Sequence, residues 1–328
     1  MLPFSRSAVK YPHEWPWYAF FISSIVFILT VILPGTCIAQ NRDPILRADT
    51  SSCTIPFNLA GKLIIIQASA DTSSGNFILD TGSPGLVLNS TYFRNYPVTT
   101  PHNTRSSDVN SVNQQTEQTT VPRFTFGTMH YYRMSADLLS LGHLEQTRGL
   151  KILGLIGVSF FKECELIIDY SKRQIHIHHI NKKELSTYRH DMLADETRFN
   201  IYPIELKENR ILVNTKIGRR SLKFAIDYAA ETSILDSRLP EKVLDSVQIN
   251  GRILLTGTGS RKVEALSGEL SGLTIGDQAI PSLQVILTSL ENTCFGNLNC
   301  INGVLGYDYL SRSMIAINFR KRKLYIMK

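Results

Sequence analysis

Residues 77–83 read FILDTGS, and residues 224–230, which lie 147 positions further along the chain, read FAIDYAA. Each stretch is a short apolar run that ends in an aspartate, Asp80 in the first and Asp227 in the second. An apolar run of this length, followed by turn-forming or small residues, is typical of a buried β-strand. The sequence therefore predicts two buried strands that each deliver an aspartate into a turn.

The similarity between the two halves of the chain extends beyond the aspartates. Residues 63–68 (LIIIQA) match residues 210–215 (RILVNT) at the same offset of 147, and residues 154–177 match residues 303–326 at an offset of 149. Short β-branched and aromatic runs, separated by Gly, Asn, Asp and Ser, predict strands in both copies. One β-rich unit is therefore used twice.

The repeat divides the chain into two lobes joined by a polar segment. We predict an N-terminal lobe over residues 50–180, a linker over residues 181–197 and a C-terminal lobe over residues 198–328. A length of 328 residues suffices for two domains, and 43% hydrophobic with 19% charged residues is the composition of a folded protein. The expected fold class is all-β, with two lobes that arose by internal duplication.

Residues 1–40 have the pattern of a targeting segment. The uncharged run over residues 18–33 is preceded by Arg6 and Lys10 and followed by a helix-breaking and small-residue stretch, which predicts a signal peptide. The alternatives are an uncleaved membrane anchor, for which the run is short against the about 20 residues that span a bilayer, and a lipid on Cys37. In each case we expect the remaining chain outside the cytoplasm: secreted, periplasmic, or membrane-anchored and facing outward.

Four cysteines follow this segment. In an oxidising compartment Cys294 and Cys300 are close enough in sequence to close a short disulfide loop, and Cys53 would then pair with Cys164 by elimination. The alternative is that these cysteines are buried free thiols.

The charged and histidine-rich stretches favour neither nucleic acid nor metal. The formal net charge is +7, but the basic residues are scattered except at residues 320–323, where apolar alternation on both sides predicts a turn between strands. His176, His178 and His179 would place two imidazoles on one strand face, but no acidic residue accompanies them. We predict no metal, no cofactor and no nucleic-acid partner.

The aspartate motifs resemble a known family. Asp-Thr-Gly-Ser at residues 80–83, between Phe-Ile-Leu and Gly-Leu-Val-Leu, resembles the catalytic turn of the aspartic proteases, and residues 155–157 (LIG) and 304–306 (VLG) resemble that family's paired apolar-apolar-Gly element. Residues 226–235 are similar to the retroviral-type wording Asp-Thr-Gly-Ala-Glu-Thr with two residues changed. Over about residues 54–328 the chain resembles a two-lobed, secreted, bacterial-type member of the pepsin-like and retropepsin-like proteases.

This resemblance implies a function and a role for each matched residue. Asp80 and Asp227 would be the catalytic pair of an aspartic endopeptidase that acts on a peptide or protein substrate as a monomer, without a cofactor. The implied supporting roles are a hydrogen bond across the lobes from Thr81, close approach of the loops at Gly82, a hydrogen bond to the Asp80 carboxylate from Ser83, and packing beneath the two loops by Gly157 and Gly306.

The second motif departs from the family at Tyr228, Ala229 and Ala230. A tyrosine hydroxyl lies too far from the backbone to replace the threonine bond, so we expect the lobes to be held from one side only. With fewer donors around it, Asp227 is expected to be the protonated carboxyl. The alternative function is a catalytically inactive relative that binds peptides or proteins.

Overall fold

The structure is a computed structural model that describes residues 45–48, 51–99, 117–256, 262–293 and 300–328. These residues belong to the compact unit Asp43–Lys328. The predicted signal peptide or anchor, residues 1–40, lies outside the described residues. No helix in the described part of the chain is long and apolar enough to cross a membrane.

In the described residues of the first half, the regular structure is mainly β-strand. The strands are β1 (Ile45–Ala48), β2 (Ser52–Pro56), β3 (Asn58–Ala60), β4 (Leu63–Ala70), β5 (Ser73–Leu79), β6 (Leu86–Asn89), β7 (Glu117–Phe126), β8 (Met129–Leu139), β9 (Gly154–Ile156), β10 (Cys164–Asp169) and β11 (Gln174–His179), with helix α1 (Gly142–Arg148) and a 3-10 turn at Val158–Phe161. At the centre, β9 runs parallel to β5 and antiparallel to β6, and β6 runs parallel to β8. The apolar end of β5 is completely buried, as expected for a strand covered on both faces.

The second half repeats this arrangement. Its strands are β12 (Phe199–Lys207), β13 (Arg210–Ile217), β14 (Arg220–Ile226), β15 (Ser233–Asp236), β16 (Val247–Thr256), β17 (Lys262–Leu270), β18 (Leu273–Ile275), β19 (Gln278–Ala279), β20 (Leu283–Thr288), β21 (Gly303–Leu305), β22 (Ile315–Asn318) and β23 (Lys323–Met327), with helices α2 (Glu241–Leu244) and α3 (Tyr307–Leu310). Here β21 runs parallel to β14 and antiparallel to β15, and β15 runs parallel to β20. The predicted all-β, two-lobed fold with an internal duplication is confirmed.

Both halves contribute to a run of six antiparallel strands, in the order β12-β23-β22-β10-β11-β2, at one end of a 15-stranded sheet in the described part of the chain. At its centre β10 pairs with β22, with Leu166 opposite Ile317 and Glu165 opposite Asn318. The Asn318 side-chain amide donates to a buried Glu165 carboxyl oxygen at 2.7 Å, and burial raises the pKa of that carboxyl. The linker contributes two 3-10 turns, Asp191–Leu193 and Glu196–Arg198, and Leu193 packs on this sheet. The basic run at residues 320–323 forms the turn between β22 and β23, as predicted.

Two of the sequence-selected histidines are packed on one face of β11. His178 Nδ1 lies 2.7 Å from the Ser52 hydroxyl, and His176 Nδ1 lies 2.9 Å from the Thr54 hydroxyl. The ring of Tyr188, from the linker, stacks on His178 with a centroid separation of 3.6 Å. Burial lowers the pKa of both histidines. Within the described ranges, no three His, Cys, Asp or Glu side chains group as a metal site would require.

The histidine face predicts a loss of stability on acidification. Burial lowers the pKa of His176 and His178 from 6.5, so the folded state favours their neutral forms. Their contribution is therefore complete above the unfolded pKa and is lost as pH falls towards the lower folded pKa. We expect the urea midpoint of unfolding to fall between about pH 7.5 and about pH 5, and to fall less in the variant carrying both His176→Gln and His178→Gln.

The control for this experiment is His179→Gln, because alternation along a strand directs that side chain to the opposite face of β11. An equal loss of urea midpoint in the wild type and the double variant would contradict the assignment to this face.

Candidate active site

The two lobes deliver their aspartates in the same way. Asp80 directly follows β5, and Asp227 directly follows β14. The Asp80 backbone N–H donates to the carbonyl of Ile156 in β9 at 3.0 Å, and the Asp227 N–H donates to Leu305 in β21 at 3.1 Å. Each aspartate is therefore fixed at the end of a buried strand by the strand next to it.

The two carboxylates converge on one backbone N–H. The amide of Gly82 lies 2.9 Å from Asp80 Oδ1 and 3.2 Å from Asp227 Oδ1. A second backbone amide points at each of these oxygens, from Ser83 to Asp80 at 3.0 Å and from Ala229 to Asp227 at 2.8 Å. The structure thus brings together the two aspartates that the sequence singled out, in a shared set of backbone donors.

Close approach of the two loops depends on the absence of a side chain at Gly82. A Cβ atom built there would lie 2.5 Å from Asp227 Oδ2. Neither Gly82 nor its counterpart Ala229 has a positive φ, so space rather than backbone conformation decides these positions. Ala229 meets no such obstacle, because it packs against the apolar cluster of the N-terminal lobe that includes Leu63 and Ile65.

Gly157 and Gly306 lie against the backs of the same loops. A Cβ at Gly157 would be 2.4 Å from the Ser83 carbonyl oxygen, and a Cβ at Gly306 would be 2.5 Å from the Ala230 carbonyl oxygen. Both distances are well below van der Waals contact, so a larger residue at either position would displace the loop that carries Asp80 or Asp227.

The lobes are joined by a hydrogen-bonded grip from one side. The buried Thr81 hydroxyl donates to the Ile226 carbonyl at 2.9 Å and accepts from the Tyr228 N–H at 3.0 Å. Ser83 differs from its expected role in one respect: its backbone N–H, not its hydroxyl, bonds the Asp80 carboxylate, and the hydroxyl donates to Gly85 at 3.4 Å.

Tyr228 replaces the second threonine with a packed ring. Its side chain is 1% exposed and stacks on Tyr170 from the first half of the chain, with centroids 6.4 Å apart. Its hydroxyl has no hydrogen-bond partner among the residues that the structure describes, and burial raises its pKa. The Tyr228 side chain therefore contacts the first half of the chain through its ring, while its backbone N–H donates to Thr81.

An ion pair beside the aspartates was not predicted from the sequence. Arg148, at the end of α1, contacts the carboxylate of Glu231, which lies four residues after Asp227. Both side chains are partly buried, at 17% and 33% exposure. Glu231 was visible as part of the retroviral-type wording, whereas no pattern singles out an arginine in a short helix.

Arg210 was not predicted as a site residue either. The repeat aligns Arg210 with Leu63. A charged residue at a position that is apolar in the other copy was the sequence feature that could have identified it.

The predicted pairing of Cys53 with Cys164 is not present, because both are buried free thiols. Strand β11 lies between their strands, β2 and β10. Two strand spacings are about 9–10 Å, which exceeds the about 7 Å that a disulfide can bridge between Cα atoms. Cys300 is disulfide-bonded. Cys294 lies outside the described residues, so its pairing with Cys300 stays a prediction.

Comparison with known proteins gives similar structures but no sequence relative. No protein-family model matches the chain, and no curated protein matches it in sequence. The chain is similar to conglutin gamma, a basic 7S globulin from lupine seeds, with a TM-score of 0.45 and 9% identity over 86% of this chain and 95% of that one. It is also similar to the basic 7S globulin from soybean, with a TM-score of 0.43 and 10% identity over 84% and 95%. At these values the likeness carries no argument about function.

The one-sided grip makes a stability prediction for Thr81→Val. The substitution preserves the shape but removes both hydrogen bonds between the lobes, so we expect the free energy of unfolding to fall by about 2 kcal/mol or more. Thr215→Val is the matched control, because the Thr215 hydroxyl is buried and its hydrogen bond among the described residues stays within its own lobe, to the Leu222 carbonyl at 3.4 Å. Equal losses in the two variants, measured by urea unfolding, would contradict a special role for Thr81.

For Tyr228→Phe we predict the opposite change in the free energy of unfolding, an increase. Tyr228→Phe removes a buried hydroxyl that lacks a partner, so we expect the free energy of unfolding to rise by about 1 kcal/mol. Tyr131→Phe is the control: that buried hydroxyl donates to the Phe160 carbonyl at 3.0 Å, and its loss should be destabilising by about 1 kcal/mol. Destabilisation by Tyr228→Phe would show that its hydroxyl is bonded after all.

Proposed function

We propose that the chain is an aspartic endopeptidase in which Asp80 and Asp227 activate a water molecule between them. The observation that carries this proposal is the convergence of both carboxylates on the Gly82 N–H, at 2.9 and 3.2 Å. Two carboxylates this close cannot both ionise cheaply, so one keeps a proton at acidic to neutral pH. A base and an acid are then available at one place, as amide hydrolysis requires.

The reaction follows from these two protonation states. The ionised carboxylate removes a proton from water as the water oxygen attacks the peptide carbonyl carbon, and the protonated carboxyl transfers its proton to the carbonyl oxygen. Collapse of the tetrahedral intermediate breaks the C–N bond: the carboxyl that took up the water proton delivers it to the leaving nitrogen, and one hydroxyl of the intermediate returns a proton to the other carboxylate. The products are a carboxylic acid and an amine, and the pair regains its starting protonation state. The backbone amides of Gly82, Ser83 and Ala229 hold the carboxylates in place throughout.

We further propose that the chain acts outside the cytoplasm, as a monomer, on a peptide or protein substrate. A peptide or protein is the substrate class that a cleft between two lobes would hold in an extended form. One chain supplies both aspartates, so a monomer suffices. The basic start and apolar run of residues 1–40 support an extracytoplasmic location.

A second candidate is a protein that binds peptides without cutting them. The observation that favours it is the altered second loop, in which Tyr228 makes no hydrogen bond across the lobes through its hydroxyl and Ala229 replaces the second glycine. A second loop bonded to Thr81 without a reciprocal side-chain bond from Tyr228 would keep the cleft but relax the carboxylate geometry on which hydrolysis depends.

Cleavage of a mixed peptide library by the full chain between about pH 3 and pH 7 distinguishes the two candidates. We expect cleavage with a bell-shaped pH profile, and a loss of kcat/KM of about 10²-fold to 10⁴-fold or more in Asp80→Asn and in Asp227→Asn, because each removes one of the acid–base groups. Asp277→Asn is the matched control, because Asp277 is exposed in the turn after β18.

The opposite outcomes are equally clear. Undiminished cleavage by the Asp80→Asn variant would remove Asp80 from the mechanism. Absence of cleavage by a wild-type chain that near-UV circular dichroism shows to be folded, together with peptide binding measured by calorimetry, would establish the binding protein instead.

A further inference from the structure

Besides the turn residues, the surroundings of the two aspartates differ in charge at the start of a duplicated strand. Leu63 and Arg210 occupy equivalent positions at the first residues of β4 and β13. Their neighbours remain apolar in both lobes: Ile65 corresponds to Leu212, and Ile78 corresponds to Ala225. The C-terminal lobe therefore has a cation where the N-terminal lobe has a leucine.

Strand register brings this cation to the level of Asp227. In the antiparallel pair of β13 and β14, Leu212 is opposite Ala225. Extending this register by two residues places Arg210, two residues before Leu212, level with Asp227, two residues after Ala225. Strand alternation then assigns both to the face that Leu212 and Ala225 share. Directly opposed residues on one face of such a pair have Cβ atoms about 4.5–5.5 Å apart. By the same register in the N-terminal lobe, Leu63 is level with Asp80.

The guanidinium is buried and fixed. Arg210 is 7% exposed, and its Nη1 donates to the Thr293 carbonyl at 3.1 Å, next to the apolar cluster that contains Leu212 and Leu290. Burial lowers the pKa of Arg210, while the negative charges of Glu208 and Asp227 raise it. Arginine stays protonated in proteins, so a buried positive charge acts on Asp227 at every working pH.

The backbone hydrogen bonds to Asp80 and Asp227 do not indicate which of the two carboxyls is protonated. Oδ1 of Asp80 is approached by the amides of Gly82 and Ser83, and Oδ1 of Asp227 by those of Gly82 and Ala229. The expectation that Asp227 is the protonated partner rested on a hydroxyl donor from Ser83, but that hydroxyl donates to Gly85 instead. The charge of Arg210, which interacts with that of Asp227, is a further difference between the two aspartates.

We propose that Arg210 is a positioning residue that keeps Asp227 ionised, so that Asp80 carries the proton that the pair shares. This inference rests on the proposed function and assigns the roles within it: Asp227 is the base that accepts the water proton, and Asp80 is the acid that protonates the carbonyl oxygen. Arg210 acts through Asp227 and does not itself touch the reacting atoms.

Four other charged groups lie near this pair: Glu208, whose charge acts on Arg210 alongside that of Asp227, and Lys207, Glu231 and Asp80. Lys207 is opposite Arg210 in the β12–β13 ladder, and its ammonium lies 3.4 Å from Glu205. Glu231 contacts Arg148 from the other lobe. Asp80 faces Asp227 across the shared Gly82 amide, and its negative charge opposes ionisation of Asp227, which is the effect that Arg210 offsets.

The test is to titrate one aspartate at a time in the full chain, with the other replaced by asparagine. The titration is monitored by the ¹³C NMR signal of the remaining carboxyl. In an Asp80→Asn background, Arg210→Leu should raise the pKa of Asp227 by about 1 or more, the size of effect expected for an opposite charge nearby. In an Asp227→Asn background, the same substitution should raise the pKa of Asp80 by less than about half of that amount. Leucine is the matched replacement because the equivalent position in the other lobe is Leu63.

Two further variants separate a local effect from loss of charge or structure. Arg210→Lys keeps the charge and should restore most of the low pKa of Asp227, whereas Lys207→Leu removes a more exposed charge nearby and should leave it unchanged. A shift in Asp80 as large as that in Asp227, or no shift in either, would overturn the proposal.

Activity gives an independent readout. If the chain cleaves peptides, Arg210→Leu should move the acidic limb of the pH profile of kcat/KM to higher pH, because the ionised base would form only at higher pH. An unmoved acidic limb would overturn the assignment of Asp227 as the base. The NMR titration needs no turnover, so failure of the peptidase proposal and failure of the Arg210 proposal remain distinguishable.

Discussion

Two backbones that almost touch at Gly82 are the constraint on which the site depends. The Gly82 amide can point at both carboxylates only because no side chain separates its loop from Asp227. The strands beneath fix this approach, since the Asp80 and Asp227 amides are bonded to β9 and β21 and since glycines at 157 and 306 admit the loops. The duplicated sheet topology therefore serves one local requirement, which is that two acidic groups share a small volume.

The two loops approach closely although tyrosine, not threonine, follows the aspartate in the second loop. The free energy that two threonine hydrogen bonds would contribute is similar to that from burying a large side chain. Two neutral hydrogen bonds contribute about 1–3 kcal/mol in net terms, and full burial of a large apolar side chain contributes about 1.5–3 kcal/mol. The Tyr228 ring, stacked on Tyr170, offsets the missing bonds, although its buried hydroxyl reduces the gain. The ion pair of Arg148 with Glu231 adds a further link between the lobes at the same loop.

Much of this structure was predictable from sequence, because strand pattern and repetition are local signals. The repeat at offsets of 147 and 149 predicted that β5 and β14 are equivalent strands of the two halves, as are β9 and β21. The Asp-Thr-Gly-Ser motif indicated the loop that carries Asp80. The Cys53–Cys164 pairing failed because cysteine count carries no information on strand order, and β11 separates the two strands. The sequence pattern did not predict individual hydrogen-bond partners either. The Ser83 hydroxyl was expected to bond the Asp80 carboxylate, but it donates to the Gly85 carbonyl. Arg148 reaches Glu231 through a contact between elements that are distant in sequence, which no local signal encodes.

Duplication within one chain has a consequence that two identical halves could not provide. When the environments of two carboxylates are the same, the shared proton has no preferred partner until a substrate breaks the symmetry. Here the copies have diverged, so leucine accompanies one aspartate and arginine the other. If Arg210 keeps Asp227 ionised, as proposed, the shared proton has a preferred partner before any substrate arrives, and the acid and the base are assigned to fixed members of the pair. In a peptidase the same asymmetry would set the direction of the substrate, because the attacking water and the carbonyl oxygen need opposite members of the pair.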